Sequence, residues 1–322
     1  MMRNLLPATE ENIRLAASVI REGGLVAFPT ETVYGLGADA LNPRAVAKIY
    51  EAKGRPRFDP LIVHVASREE VLRLVEEVPE EARILMERFW PGPLTLVLPR
   101  RDTVPPITTA GLPTVAVRMP AHPVALKLIR YSGVPIAAPS ANPFGYVSPT
   151  TARQVAETLG DRVDVILDAG RTRIGVESTI VMLTEGEAYL LRPGGLPVEE
   201  IERAIGKEVR PYSGGEVLSP GTLKRHYSPR TRLVILKSWE DYYRLRGRYR
   251  RVLLLLPSPA YGVEGEVRFL SESGDLGEVA ANLFSILYEA DRSGYDVIAV
   301  MPVPEEGLGR AIMNRLRKAA AR

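Results

Sequence analysis

The chain's 322 residues exceed what one hydrophobic core usually serves and suit two domains. At 45% hydrophobic and 25% charged it can bury a core without covalent staples, and the lack of cysteine excludes disulfides, thiolate catalysis and cysteine-held zinc or iron–sulfur centres. A balance of 42 basic against 39 acidic residues leaves +3, too even to announce nucleic-acid binding by bulk charge.

In chain order, the first expected helix covers 9–22, with Thr9 as cap and Gly23-Gly24 as stop. The apolar run "LVAF" then meets "FPTETVYGLG", residues 28–37, which reads badly as strand or helix. Pro29 stops ladder pairing, three polar side chains crowd together, and Gly35 and Gly37 are expected to let the chain turn away. Gly35, Gly37 and Ala40 match a loose dinucleotide fingerprint, but Asn42 and Pro43 delay the next helix beyond it. No Walker A lysine motif occurs, so any nucleotide site must be built from other parts.

A helix over 43–53 runs into "KGRPR", where Lys53, Arg55 and Arg57 form a cluster of three cations with no acid among them. Such a cluster is either a solvated basic turn or one face of an anion site. Further helices are expected over 68–77, 79–89, 122–131 and 150–159. Short apolar runs stand between them: "LIVHV", "LTLVL", "TVAVRM", "VPIAA", "VDVIL", "STIVML" and "AYLLR". Because some of these follow one another with no helix between, a mixed sheet in an α/β or α+β domain fits better than a strict doubly wound one.

Residues 207–230 are dense in Gly, Pro and Ser and read as a linker. Beyond it, four buried-strand runs and helices over 277–292 and 306–321 make a second, smaller α/β domain over 231–322. The stretch "YYRLRGRYRR", 242–251, interleaves aromatics with arginines as RNA-binding surfaces do, though the wet face of a helix has the same composition. Direct RNA contact therefore stays an open alternative. The three histidines, His64, His122 and His226, lie too far apart in sequence to suggest a metal site. No run of 18 apolar residues and no signal-peptide core appears, so the chain is expected in the cytoplasm, off the membrane.

Polar residues recur at strand ends. Thr114 and Arg118 are four apart on one strand and share a face; Ser140 and Asn142 follow an apolar strand, with Ser148 beyond; Ser178 and Thr179 open another; Arg192 closes one. Taken singly these are caps and turns, whereas together they suit an anion-binding cleft.

With "PTETVYGLG", "KGRP", "PLIVH", "FWPGPLTLVL", "VAVRMP", "APSAN", "ESTI", "LRPG" and "SPGTLKRHYSP" in order, the chain resembles the long form of the threonylcarbamoyl-AMP synthase family. The resemblance implies a YrdC-like mixed twisted sheet with helices around a basic cleft over 1–206, a linker or lid over 207–230, and a Rossmann-like α/β domain over 231–322. It also implies a nucleotidyltransferase that makes threonylcarbamoyl-AMP and pyrophosphate from L-threonine, bicarbonate and ATP, with Mg²⁺ accompanying ATP. The product would pass to a tRNA threonylcarbamoyl transferase complex, which modifies an adenosine beside the anticodon.

By the family's pattern, Thr32, His64, Arg118, Ala138 and Ser178 take threonine. Arg55, Asp59, Thr114, Ser140, Asn142, Ser148, Arg192 and Tyr227 take ATP, while Lys53 and Arg55 serve the charge of the reacting groups. No side chain is assigned to metal. The base for the amine is open between Glu31, His64, bicarbonate and bound phosphate. A hydrogenase-maturation relative of the same fold is disfavoured, since its extra segments need length and cysteines that this chain lacks. Residues 219–229 are expected to fold over the nucleotide as a lid carrying His226 and Tyr227.

Overall fold

The structure, a computed structural model, describes residues 3–184, 186–221, 223–260 and 262–321. β1 (Leu5–Pro7) leads into α1 (Glu10–Arg21), which the Thr9 hydroxyl caps by accepting from Asn12 N–H. β2 (Val26–Pro29) and β3 (Tyr34–Asp39) pair antiparallel around the 30–33 turn. α2 (Pro43–Lys53) starts on an Asn42 cap and stops at left-handed Gly54. β4 (Ile62–His64), α3 (Glu80–Phe89), β5 (Leu94–Pro99), β6 (Thr114–Arg118), α4 (Pro123–Ser132) and β7 (Ile136–Ala137) follow. Then come α5 (Ala152–Thr158), β8 (Val165–Asp168), β9 (Thr179–Thr184), β10 (Glu187–Arg192), α6 (Val198–Ile205) and β11 (Arg210–Pro211).

Eleven strands make one mixed sheet in the order β1-β8-β2-β3-β7-β4-β6-β5-β9-β10-β11. One face is covered by α1 and α4, and the other by α2, α3, α5 and α6, so most inner strands are buried on both faces. Two expectations are corrected here. The pattern over 68–77 gives only a 3₁₀ turn at Glu69–Arg73, because no side chain caps its start and Pro79 follows closely. The stretch 34–39 is not a turn but β3, in the middle of the sheet: Pro29, rather than stopping the ladder, stands opposite Tyr34 in it, and neither Gly35 nor Gly37 has a positive φ.

The two glycines are there for space. A Cβ on Gly37 would lie 2.7 Å from both Ile136 Cγ2 and Phe28 Cε1, and one on Gly35 would lie 3.3 Å from Ala138 Cβ. A side chain there would push the hairpin off the α1/α4 face.

The second sheet contains β12 (Arg232–Ile235), β13 (Val252–Leu256), β14 (Glu266–Phe269) and β15 (Val297–Val300), all parallel in the order β12-β15-β13-β14. Its helices are α7 (Trp239–Arg248), α8 (Leu276–Asp291) and α9 (Leu308–Ala320). The core under α8 and α9 continues into the first domain, since Val33, Val147, Val176 and Tyr227 pack with Leu253, Phe284 and Ile312. The arginine–aromatic stretch from 242 begins inside α7, with Tyr242 turned into the core and Arg244, Arg246 and Arg248 outward.

Candidate functional site

The turn between β2 and β3 is built by Thr30. Its hydroxyl accepts from Thr32 and Val33 N–H at 3.1 and 3.2 Å and lies 2.7 Å from Val33 O, a tight local turn. That geometry directs Glu31 and Thr32 toward the ends of the central strands. Glu31 Oε1 takes Arg118 Nη2 at 2.5 Å, and Oε2 accepts from Ala121 N–H at 2.9 Å. Thr32 Oγ1 accepts from Arg118 Nη1 at 3.2 Å.

Parallel pairing of β4 with β6 sets His64 directly across from Arg118. Burial, and then the Arg118 charge, push the His64 pKa down to about 3, so the ring is neutral. Its Nδ1 lies 3.3 Å from Ile136 O. Ala138 supplies an apolar wall beside it, and the Ser178 hydroxyl sits 2.8 Å from that of Thr95.

On the other side stand cations. Arg55 donates from Nη2 to Pro60 O at 2.9 Å and from Nε to Asp59 O at 3.1 Å. Its charge is offset by the Asp59 carboxylate, 3.0 Å away and fully buried. The cluster thus acquires an acid that its own five residues lack. Burial pushes the Asp59 carboxyl up against the opposing pull of Arg55, and neither carboxylate oxygen accepts a hydrogen bond. Arg192 donates from Nε and Nη2 to Ser178 O and from Nη1 to Pro220 O. Lys53 donates to the carbonyls of Ser140 and Asn142, both at 2.5 Å, tying the end of α2 to the 140–142 loop. Burial and then Arg55 hold the Lys53 pKa well below its usual value.

One cleft therefore gathers Thr32, Arg55, His64, Arg118, Ala138, Ser140, Ser178, Arg192 and Tyr227. Five further expected residues stand outside its wall. Lys53 and Asp59 back it, Asn142 Nδ2 binds Pro143 O and Tyr146 O, Ser148 donates to Glu177, and Thr114 lies at the opposite end of β6 from Arg118.

Pro220, Gly221, His226 and Tyr227 close the cleft from the linker. Tyr227 adopts φ 58, a left-handed conformation costly for an aromatic residue, and stacks 5.6 Å from Phe284 of α8. As closed, the cavity holds about 40 Å³, room for a few waters.

Two charged residues escaped the sequence reading. Glu177 lines the cleft, and its signal was its place directly before Ser178 in "ESTI". Arg315, from α9, pairs with it at 2.8 Å; its signal was a charge on the apolar stripe of Ile312, Leu316 and Ala319.

Comparisons with known proteins identify the family. A family model described as "Telomere recombination" matches residues 18–194, and a second, "Threonylcarbamoyl-AMP synthase, C-terminal domain", matches 196–321. The threonylcarbamoyl-AMP synthase of Pyrococcus abyssi is 51% identical over 97% of this chain and 94% of its own. That of Bacillus subtilis is 47% identical over 98% and 94%. The crystal structure of the P. abyssi protein Sua5 with L-threonine superposes with a TM-score of 0.90 at 49% identity, covering 98% of this chain and 96% of that one. The chain belongs to the threonylcarbamoyl-AMP synthase family, enzymes of the adenylyltransferase type.

Proposed function

We propose that the protein joins L-threonine, bicarbonate and ATP into threonylcarbamoyl-AMP and pyrophosphate, for threonylcarbamoyladenosine modification of tRNA next to the anticodon. The observation that carries this reading is a single cleft lined by two unlike sets of groups. Thr32 and neutral His64 adjoin Arg118, and this set is assigned to threonine; Arg55, Ser140 and Arg192 line the same cleft and are assigned to ATP. The L-threonine bound to the P. abyssi relative supports threonine as a substrate.

In the threonine set, Arg118 takes the carboxylate, and the Thr32 hydroxyl and the neutral imidazole bracket the substrate hydroxyl. The threonine ammonium and bicarbonate condense to a carbamate, releasing one water and one proton. The nitrogen sheds one proton before it attacks and a second as the carbamate forms; the departing hydroxide takes one as water, and the other goes to bicarbonate, bound phosphate or solvent, while Glu31 stays engaged with Arg118 and Ala121. A carbamate oxygen then attacks the α-phosphorus; that P–O bond forms as the bond to the β-phosphate breaks and pyrophosphate leaves with the electron pair. Arg55 and Arg192 offset the anionic approach.

Mg²⁺ enters as the counter-ion of the triphosphate. The described residues contain no group of three His, Asp or Glu side chains able to hold a metal, and Asp59, whose oxygens lack donors, already faces Arg55. No described helix is long and apolar enough to cross a membrane, which supports a cytoplasmic site of action.

Pyrophosphate release tests the reading. It is expected only when ATP, threonine and bicarbonate are all present, and an equal rate in carbon-dioxide-depleted buffer would refute the carbamate step. Valine in place of threonine should turn over far more slowly, since it leaves the hydroxyl partners unpaired.

A further inference from the structure

Arg315 lies in the middle of α9, in the second domain, and its side chain is wholly buried. It reaches across the domain junction. Nε donates to Glu177 Oε2 at 2.8 Å, Nη1 donates to Pro193 O at 2.7 Å, and the guanidinium carbon sits 5.1 Å from the Tyr227 ring centroid. Glu177 is on the cleft wall, with its other oxygen accepting from Ser148 at 2.5 Å.

Burial pushes the Glu177 carboxyl up, but the charges of Arg315 and then Arg192 outweigh it and hold the group below the usual carboxylate range. An anion therefore faces the space assigned to a triphosphate. Left bare, it would repel that ligand across a water-poor cleft. A buried ion pair is also a poor device for stability alone, since an apolar pair of like volume often serves as well.

We infer that Arg315 is a positioning residue of the nucleotide subsite, through which the second domain neutralises Glu177 from behind and holds Tyr227 in the cleft. The inference rests on the ATP reading proposed above. It gives the second domain a defined task, since without docked α9 the cleft would present a carboxylate to the incoming phosphates.

The test measures ATP and threonine affinities separately by calorimetry, with thermal midpoints, for the full-length wild type, Arg315→Met and Arg315→Met/Glu177→Gln. Arg315→Met is expected to weaken ATP binding at least about tenfold. Threonine affinity should change far less, because Thr32, His64 and Arg118 are held by Glu31, Gly92 and Ile136 and not by Arg315 or its partners. Adding Glu177→Gln removes the bare anion and should restore most of the ATP affinity. Equal losses for both ligands, or no restoration in the double variant, overturn the inference and leave Arg315 a structural pair. Should Arg315→Met not fold, Arg315→Lys keeps the charge behind Glu177 and should retain most of the ATP affinity, whereas Arg315→Gln removes it and should lose ATP affinity in preference to threonine affinity; equal losses of the two ligands in Arg315→Gln, or a loss of ATP affinity in Arg315→Lys as large as in Arg315→Gln, overturn it. Wild-type protein that binds threonine but not ATP would refute the ATP reading itself. Wild type that binds both, with variants that do not discriminate, refutes only the role of Arg315.

Discussion

Arg118 and Glu31 form an ion pair at 2.5 Å whose side chains are 4% and 3% exposed, so neither charge has water as an alternative partner. Arg118→Ala is expected to cost about 3–5 kcal/mol of stability, because it strands the Glu31 carboxylate. Adding Glu31→Gln should recover part of that stability and none of the threonine affinity. Urea unfolding and calorimetry measure the two quantities; recovery of threonine binding would make Arg118 a purely structural residue.

Gly37→Ala places a methyl 2.7 Å from Ile136 Cγ2 and from Phe28 Cε1, both in the packed layer under α1 and α4. Without a positive φ to strain, the whole cost is overpacking, about 1–3 kcal/mol. Phe28→Leu in the same chain should recover some of it. A neutral Gly37→Ala by chemical denaturation would show that the layer has slack.

His64 titrates at about 3 in the folded protein against 6.5 for the free side chain. Between those values the unfolded chain binds a proton that the folded one refuses. Stability from this group is therefore complete above 6.5 and is lost as pH falls, by about 1 kcal/mol per pH unit. His226 is pushed down as well, by burial and then Arg55, and acts in the same direction. Unfolding free energies from pH 7 to 5 should fall less steeply in His64→Gln than in the wild type, and parallel slopes would place a charged imidazole in the folded state.

With Tyr227 in place the cleft leaves about 40 Å³, far less than a nucleotide needs, so Pro220, Gly221, His226 and Tyr227 are expected to shift when ATP enters. Lys224 and Arg225 are exposed on that segment and offer trypsin its sites. ATP and threonine together are expected to slow cleavage there by holding the segment closed. Gly221→Ala should speed it, since its Cβ would meet the Tyr227 hydroxyl at 2.3 Å with φ at +75. Identical cleavage in all samples would reduce the segment to a fixed wall.

Sequence alone determined much of this protein. Caps at Thr9 and Asn42, apolar runs such as "LTLVL", and the polar strand ends at Arg118, Ser140 and Arg192 are local signals, set by hydrogen bonding and burial within a few residues. The ordered marks from "PTETVYGLG" to "SPGTLKRHYSP" did the same for the family. Tertiary structure decided the rest. Gly35 and Gly37 look like turn residues until Phe28, Ile136 and Ala138 are placed against them, because close packing across strands distant in sequence leaves no local trace. Asp59 beside Arg55 and Arg315 behind Glu177 likewise depended on burial, which decides whether a charge needs a partner at all. The pairing of Glu177 with a helix 138 residues later is a property of domain docking, and only the folded chain brings those two charges within 2.8 Å.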